Sequence, residues 1–220
     1  MPDSLPPVIL CVIAFFCGAI PFGFLAGRRK GIDLREHGSK NIGATNTLRV
    51  LGKKAGIAVL LLDAVKGLLP VLAATYLLPL PDLWRVAVGL SAVLGHIYSP
   101  FVRFKGGKGV ATTLGVLIGL NPLIALLSFA AFFVTVYLTR YVSLGSIIGA
   151  VTEAALFWLL PHDGYPLPIF GTLVAIFVVA RHRANIGRLR AGTESKWGEG
   201  KEVPVDPSPG SPAVSPPSSE

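Results

Sequence analysis

Apolar residues along this chain gather in long runs separated by short polar stretches. They show neither the two-residue alternation of a half-buried strand nor the single stripe of a soluble amphipathic helix. Unbroken runs cover residues 5–26, 56–78, 83–102 and 142–160. Each is close to the roughly 20 residues a helix needs to cross the hydrocarbon of a bilayer. Lipid offers no partner to an unpaired backbone group, so runs of this kind are helices. A fifth run, 110–138, is broken by Asn121-Pro122, and a last one, about 167–180, is short unless Tyr165 and Pro166 belong to it. The pattern predicts an all-α integral membrane protein.

Charge decides how the broken run is counted. If Asn121-Pro122 is a tight turn, the chain has seven transmembrane helices, and loop 27–54, loop 103–109, Arg140 and the C-terminal segment share one side. That side holds every Lys and Arg except Arg85 and Lys66, the latter inside a span. The positive-inside rule then places the N-terminus outside, the C-terminus in the cytoplasm and the basic side at the cytoplasmic face. A six-span count leaves either the first basic loop or the 181–190 segment outside, so seven is the expectation. It makes 110–120 a helix of only about 17 Å, tilted or re-entrant. Residues 1–200 are expected to form the membrane domain and the Pro/Ser-rich residues 201–220 a disordered cytoplasmic tail. The first run carries Asp3 and no Lys or Arg ahead of it, and no small-residue cleavage signal follows. It reads as a retained span.

Composition agrees. The 220 residues are 52% hydrophobic and 15% charged, against about 25% charge in soluble domains. The net charge of +8 would suit nucleic acid if it were not so one-sided along the predicted topology. Cys11 and Cys17 lie in the first run without acidic or histidine neighbours, which argues for apolar packing over a disulfide or metal. No histidine spacing indicates a metal site, and His162 reads as a surface group of an outside loop.

Polar chemistry concentrates on the basic side. The segment 37–46, HGSKNIGATN, followed by Arg49, sets Ser39 and Thr45 among glycines and the asparagines Asn41 and Asn46. Glycines admit close approach of a ligand, and hydroxyls and amides donate to an anion, although an ordinary polar loop has the same composition. In 95–113, GHIYSPFVRFKGGKGVATT carries His96, Lys105 and Lys108 around Gly106, Gly107 and Gly109. GGKG lacks the full GxxxxGK[ST] pattern and a βαβ context, which excludes a nucleotide phosphate loop. Mobile lysines beside glycine amides nevertheless suit a phosphate. In 181–198, His182 and Asn185 share a helical face, Arg188 and Arg190 read as membrane-surface anchors, and Glu194 is placed to orient an arginine. Asp63 and Lys66, three apart in the second span, are equally consistent with a structural ion pair and with a catalytic role. Glu153 stands alone in the 142–160 run, with bundle hydrogen bonding and pathway lining both open.

Several anion-binding elements on one membrane face, beside helices able to hold an acyl chain, point to transfer chemistry on a lipid precursor. Anion transport is the alternative, and polarity confined to one face weighs against it. The segments GSKNIGATN, HIYSPFVRFKGGKG and RHRANIGRLRAGTE closely resemble the signatures of the bacterial acyl-phosphate-dependent glycerol-3-phosphate acyltransferases, the PlsY family, with similarity over about residues 5–198. AIPFGFLAGRRKGIDLREHG and LLDAVKG resemble the family as well. Ala19, where a serine is common, and Ile42, where a proline is common, depart from the family pattern without removing a charged or nucleophilic group.

The resemblance implies transfer of a fatty acyl group from acyl-phosphate to the sn-1 hydroxyl of glycerol-3-phosphate in the bacterial inner membrane. The products are lysophosphatidate and phosphate, with no cofactor or metal and with a monomer sufficient. On this reading Ser39, Lys105, Lys108 and the Gly106–Gly107 amides hold phosphate, and Arg49, His182 and Asn185 complete the pocket. Ser39, Lys108, His182 and Asn185 are the candidate catalytic residues. Asn41, Thr45, Asn46, Arg49, His96, Lys105, Gly106 and Gly107 are candidate substrate-binding residues, and Asp63, Lys66 and Glu194 orienting ones. The acceptor for the hydroxyl proton is His182, His96 or, as favoured, the donor's own phosphate.

Overall fold

A computed structural model describes residues 5–161 and 163–198, so His162 and the tail at 201–220 lie outside the described residues. The regular elements of the described chain are all helices: α1 (Leu5–Ala19), α2 (Phe22–Arg28), α3 (Ala44–Leu51), α4 (Lys53–Leu72), α5 (Asp82–Ile97), α6 (Val110–Leu120), α7 (Pro122–Thr139), α8 (Val142–Leu159), α9 (Pro166–Arg181) and α10 (Arg183–Arg190). A π-helical turn, Ala73–Leu77, prolongs α4. Large apolar side chains such as Leu61, Leu126 and Phe133 point outward, as lipid-facing residues do.

Five helical stretches have the length and hydropathy of a span: Pro6–Arg28, Lys53–Leu77, Asp82–Val102, Pro122–Thr139 and Val142–Leu159. A sixth exists if α9 and α10, bent by 58° at their junction, count as one. The expected seven-helix arrangement is therefore overturned, and α6 and α9 are the reason. Helix α6 has 11 residues, about 17 Å at 1.5 Å per residue, against a hydrocarbon core of about 30 Å. Helix α9 has 16. The break itself is where the sequence puts it: Asn121 accepts from the Ile124 amide at 3.1 Å and starts α7. The error lay in counting both arms as full crossings. An N-terminus outside and a C-terminus in the cytoplasm followed from that odd count and no longer follow.

Close backbone approach sets the packing. Helix α1 lies on α5, where a Cβ on Gly18 would meet the Ala92 carbonyl at 2.0 Å and one on Gly95 the Phe15 carbonyl at 2.0 Å. Helix α6 is clasped to α4 the same way, by Gly115 against the Ala64 carbonyl at 1.8 Å and Gly67 against the Thr112 carbonyl at 2.2 Å. Membrane helices associate through such small-residue contacts because lipid supplies no hydrophobic drive between them. The short α6 is thus an interior element, with Thr112, Thr113, Val116 and Leu117 buried. Helix α7 packs on α8, and α8 on α9.

Polar side chains reach backbone carbonyls near two prolines. Pro70 lacks the N–H that would pair the Lys66 carbonyl, and the Cys17 thiol donates to that carbonyl at 3.6 Å. Pro21 separates α1 from α2, and the Lys66 ammonium donates to the Ile20 carbonyl at 2.7 Å.

Candidate active site

The first polar segment folds around one side chain. Asn46, buried on α3, donates its amide to the carbonyls of Asn41 (2.8 Å), His37 (3.0 Å) and Leu34 (3.2 Å), and its Oδ1 accepts the Ser39 N–H at 2.8 Å. Its hydrogen bonds therefore shape the loop. Asn41 likewise accepts from the Gly43 amide at 2.8 Å. The arrangement leaves the Ser39 side chain exposed and puts Thr45 in the first turn of α3, whose N-cap is Gly43 with no capping side chain. First-turn amides of a helix lack intrahelical partners and face an anion readily.

The second segment returns along the end of α5. The Gly106 and Gly107 amides donate to the Ile97 and His96 carbonyls at 3.1 and 3.2 Å, and their own carbonyls accept from Arg181 at 3.3 and 3.4 Å. A Cβ on Gly106 would meet the His96 carbonyl at 2.0 Å, and one on Gly107 the His96 ring at 2.1 Å. These glycines let the loop lie against α5, and their amides are already engaged. Lys105 points out to the surface. Lys108 turns inward, just before α6.

The third segment meets Lys108. Its ammonium donates to Asn185 Oδ1 at 2.5 Å, and Asn185 Nδ2 donates to Glu194 Oε1 at 2.5 Å. An ammonium only donates and a carboxylate only accepts, so the amide has one possible orientation. Glu194 is also held by Ser143 (2.7 Å) and Arg188 (2.6 Å). Burial works against its carboxylate, but the hydrogen bonds from Asn185, Ser143 and Arg188 outweigh this and hold its pKa below the usual range. Burial, with the charges of Arg188, Arg181 and Arg49 and against that of Glu194, brings the Lys108 pKa down to about 8. The buried His182 has Nδ1 2.7 Å from the Val178 carbonyl. A carbonyl cannot donate, so Nδ1 carries the proton and a neutral ring keeps Nε2 as an acceptor.

These segments enclose a cavity of about 720 Å³. Ser39, Asn41, Thr45, Asn46 and Arg49 line it from the first segment, His96 and Lys108 from the second, and His182, Asn185 and Glu194 from the third. Asp63 reaches it, paired to Lys66 at 2.7 Å with His96 Nδ1 at 3.7 Å. Lys66, Lys105, Gly106 and Gly107 stand outside the lining. Leu60, Val110, Ala111, Phe132 and Val142 give the cavity an apolar wall. Sequence reasoning missed Ser143, which carries no motif, and set Arg188 aside as a surface anchor. Of the strap formed by residues 193–198 it singled out Glu194 but not Ser195, Lys196, Trp197 and Gly198, which also line the cavity. Among the described residues no group of His, Cys, Asp and Glu is arranged to hold a metal.

Comparison with known proteins agrees with this architecture. Residues 8–192 match the family model described as glycerol-3-phosphate acyltransferase. A glycerol-3-phosphate acyltransferase of Geobacter sulfurreducens is 50% identical over 194 residues, covering 88% of this chain and 98% of its own. One from Geotalea daltonii is 48% identical over 188 residues, covering 86% and 96%. The crystal structure of PlsY, an integral membrane glycerol 3-phosphate acyltransferase, in its glycerol 3-phosphate form superposes with a TM-score of 0.84 at 38% identity, covering 88% of this chain and 96% of that one. Its lysophosphatidic acid form gives 0.81 at 37%. With the family model running through the first two polar segments and into the third, and the fold of a solved member around them, this multi-pass membrane protein belongs to the glycerol-3-phosphate acyltransferase family.

Proposed function

We propose that the protein transfers a fatty acyl group from acyl-phosphate to the sn-1 hydroxyl of glycerol-3-phosphate, giving 1-acyl-sn-glycerol-3-phosphate and inorganic phosphate. The observation that carries this reading is the single cavity in which Lys108, Arg49, Ser39, Asn185 and His182 meet beside an apolar wall. It offers cationic and hydroxyl donors to phosphate and a greasy surface to an acyl chain. The basic groups at this end support a cytoplasmic mouth in the inner membrane. The active unit proposed is a monomer embedded in lipid.

Acyl-phosphate is a mixed anhydride with a good leaving group, so positioning and electrostatics do most of the work. The acceptor hydroxyl oxygen attacks the acyl carbon, the bond from that carbon to the phosphate oxygen breaks, and the hydroxyl proton leaves with the phosphate. Lys108 and Ser39 stabilise charge developing on the transferred group and the departing phosphate. Arg49, with the Thr45 hydroxyl and the α3 N-terminus, holds a second phosphate, and the union of both substrates in one cavity supplies proximity. His182 Nε2 accepts from the attacking hydroxyl and orients it. Asn185 and Glu194 fix the Lys108 ammonium. Asn41 and Asn46 shape the loop that carries Ser39, and Asp63, Lys66 and His96 brace the cavity floor.

The donor is the testable part. Purified protein in lipid is expected to esterify glycerol-3-phosphate with acyl-phosphate and to make no product with acyl-CoA or acyl-carrier protein. Equal use of a thioester would overturn the assignment.

A further inference from the structure

Arg140 sits outside every motif segment, in the turn between α7 and α8, with left-handed backbone at φ 63°. Its guanidinium nevertheless donates through Nε and Nη2 to the Trp197 carbonyl at 3.2 and 2.9 Å, and its own carbonyl accepts the Trp197 N–H at 2.7 Å. Lys196 lies over the Tyr141 ring, 5.8 Å from its centroid. The strap 193–198 is therefore fastened at one end by α10, through Thr193 N–H to the Arg188 carbonyl at 2.9 Å, and at the other by Arg140. Glu194 lies between the two fastenings and reaches Asn185, and through it Lys108.

We propose that Arg140 is a positioning residue for acyl transfer: by clipping Trp197 it stretches the strap over the cavity and holds Glu194 against Asn185, Ser143 and Arg188. A backbone hydrogen bond alone fixes one point on the strap, whereas the fork from Arg140 adds orientation. With the clip open, Glu194 follows the strap away from Asn185, and Lys108 loses both its aligned acceptor and a compensating negative charge. The charges then facing Lys108 are Arg188, Arg181 and Arg49, all repulsive. The ammonium deprotonates at lower pH, and the phosphate site weakens.

Arg140→Gln tests this, with Arg140→Lys, which keeps one donor, as the conservative rescue. The expected result is a fall of about tenfold in kcat/KM at neutral pH, the scale of one lost hydrogen bond. The alkaline limb of its pH profile should also move to lower pH, with an unchanged melting temperature and partial recovery in Arg140→Lys. Adding Arg140→Gln to Glu194→Gln should cause little further loss, since both act through one contact. Should Arg140→Gln not accumulate as folded protein, deletion of residues 197–220 removes the acceptor side of the same contact and must shift the profile alike. A wild-type profile in either variant, or activity lost only in proportion to folded protein, overturns the proposal. The readout rests on the acyl-transfer reading. Inactive wild-type protein would sink that reading, whereas an active wild type with an indifferent Arg140→Gln sinks this one alone.

Discussion

At the scale of single residues, Lys108 is the proposed centre of the chemistry. Its replacement by alanine should lower kcat/KM by about 100- to 1000-fold, the effect of removing one preorganised donor from a site of developing charge. Lys108→Arg should not restore it, because a planar fork does not fit the place of a compact ammonium held by Asn185. The pKa of about 8 sets the pH dependence. Below it the ammonium is charged, as the proposed phosphate-binding role requires, and above it the charge is lost, so kcat/KM for the free enzyme should fall as pH rises past about 8. A profile flat to pH 10 would contradict the lowered pKa of Lys108. The lysine was legible as charge beside glycine in a basic loop. The glycines suggested exposed amides, but close packing against His96 explains them, and nothing in a sequence separates those two uses of a missing Cβ. Asn46 was legible only as a polar group near the site, because the three carbonyls it holds come together only when the loop is folded.

At the scale of elements, the bundle depends on backbones that touch. Gly115→Ala puts a methyl 1.8 Å from the Ala64 carbonyl, so α4 and α6 must separate. The expected loss is about 1–3 kcal/mol of stability, read as a lower melting temperature in detergent. An unchanged melting temperature would show that the α4–α6 contact is looser than described. The apolar runs were readable because lipid imposes helices on them, and the Asn121-Pro122 turn because proline follows a capping asparagine. What the runs did not reveal was depth: Val110–Leu120 is as apolar as a span, yet it is buried against α4 and too short to cross. Hydropathy reports the solvent a helix tolerates, which is the same for lipid and for a protein interior. Ser143 was invisible for a related reason, since one serine in a serine-bearing helix acquires meaning only from the Glu194 that arrives from 51 residues away.

For the molecule as a whole, three segments distant in sequence close one cavity, and the family model matches residues 8–192, short of residues 201–220. Deleting residues 201–220 should therefore leave kcat/KM within about twofold, as a substitution outside the machinery does; a large loss would mean the tail contributes to the site. The central claim is acyl transfer from acyl-phosphate to glycerol-3-phosphate, and it is tested most directly by following phosphate release from acyl-phosphate by the purified, lipid-supplied protein with and without glycerol-3-phosphate, alongside lysophosphatidate. Acceptor-dependent phosphate release, matched one for one by lysophosphatidate, is the predicted result. Folded protein that releases no phosphate in response to glycerol-3-phosphate, or releases it without forming the ester, would contradict the account.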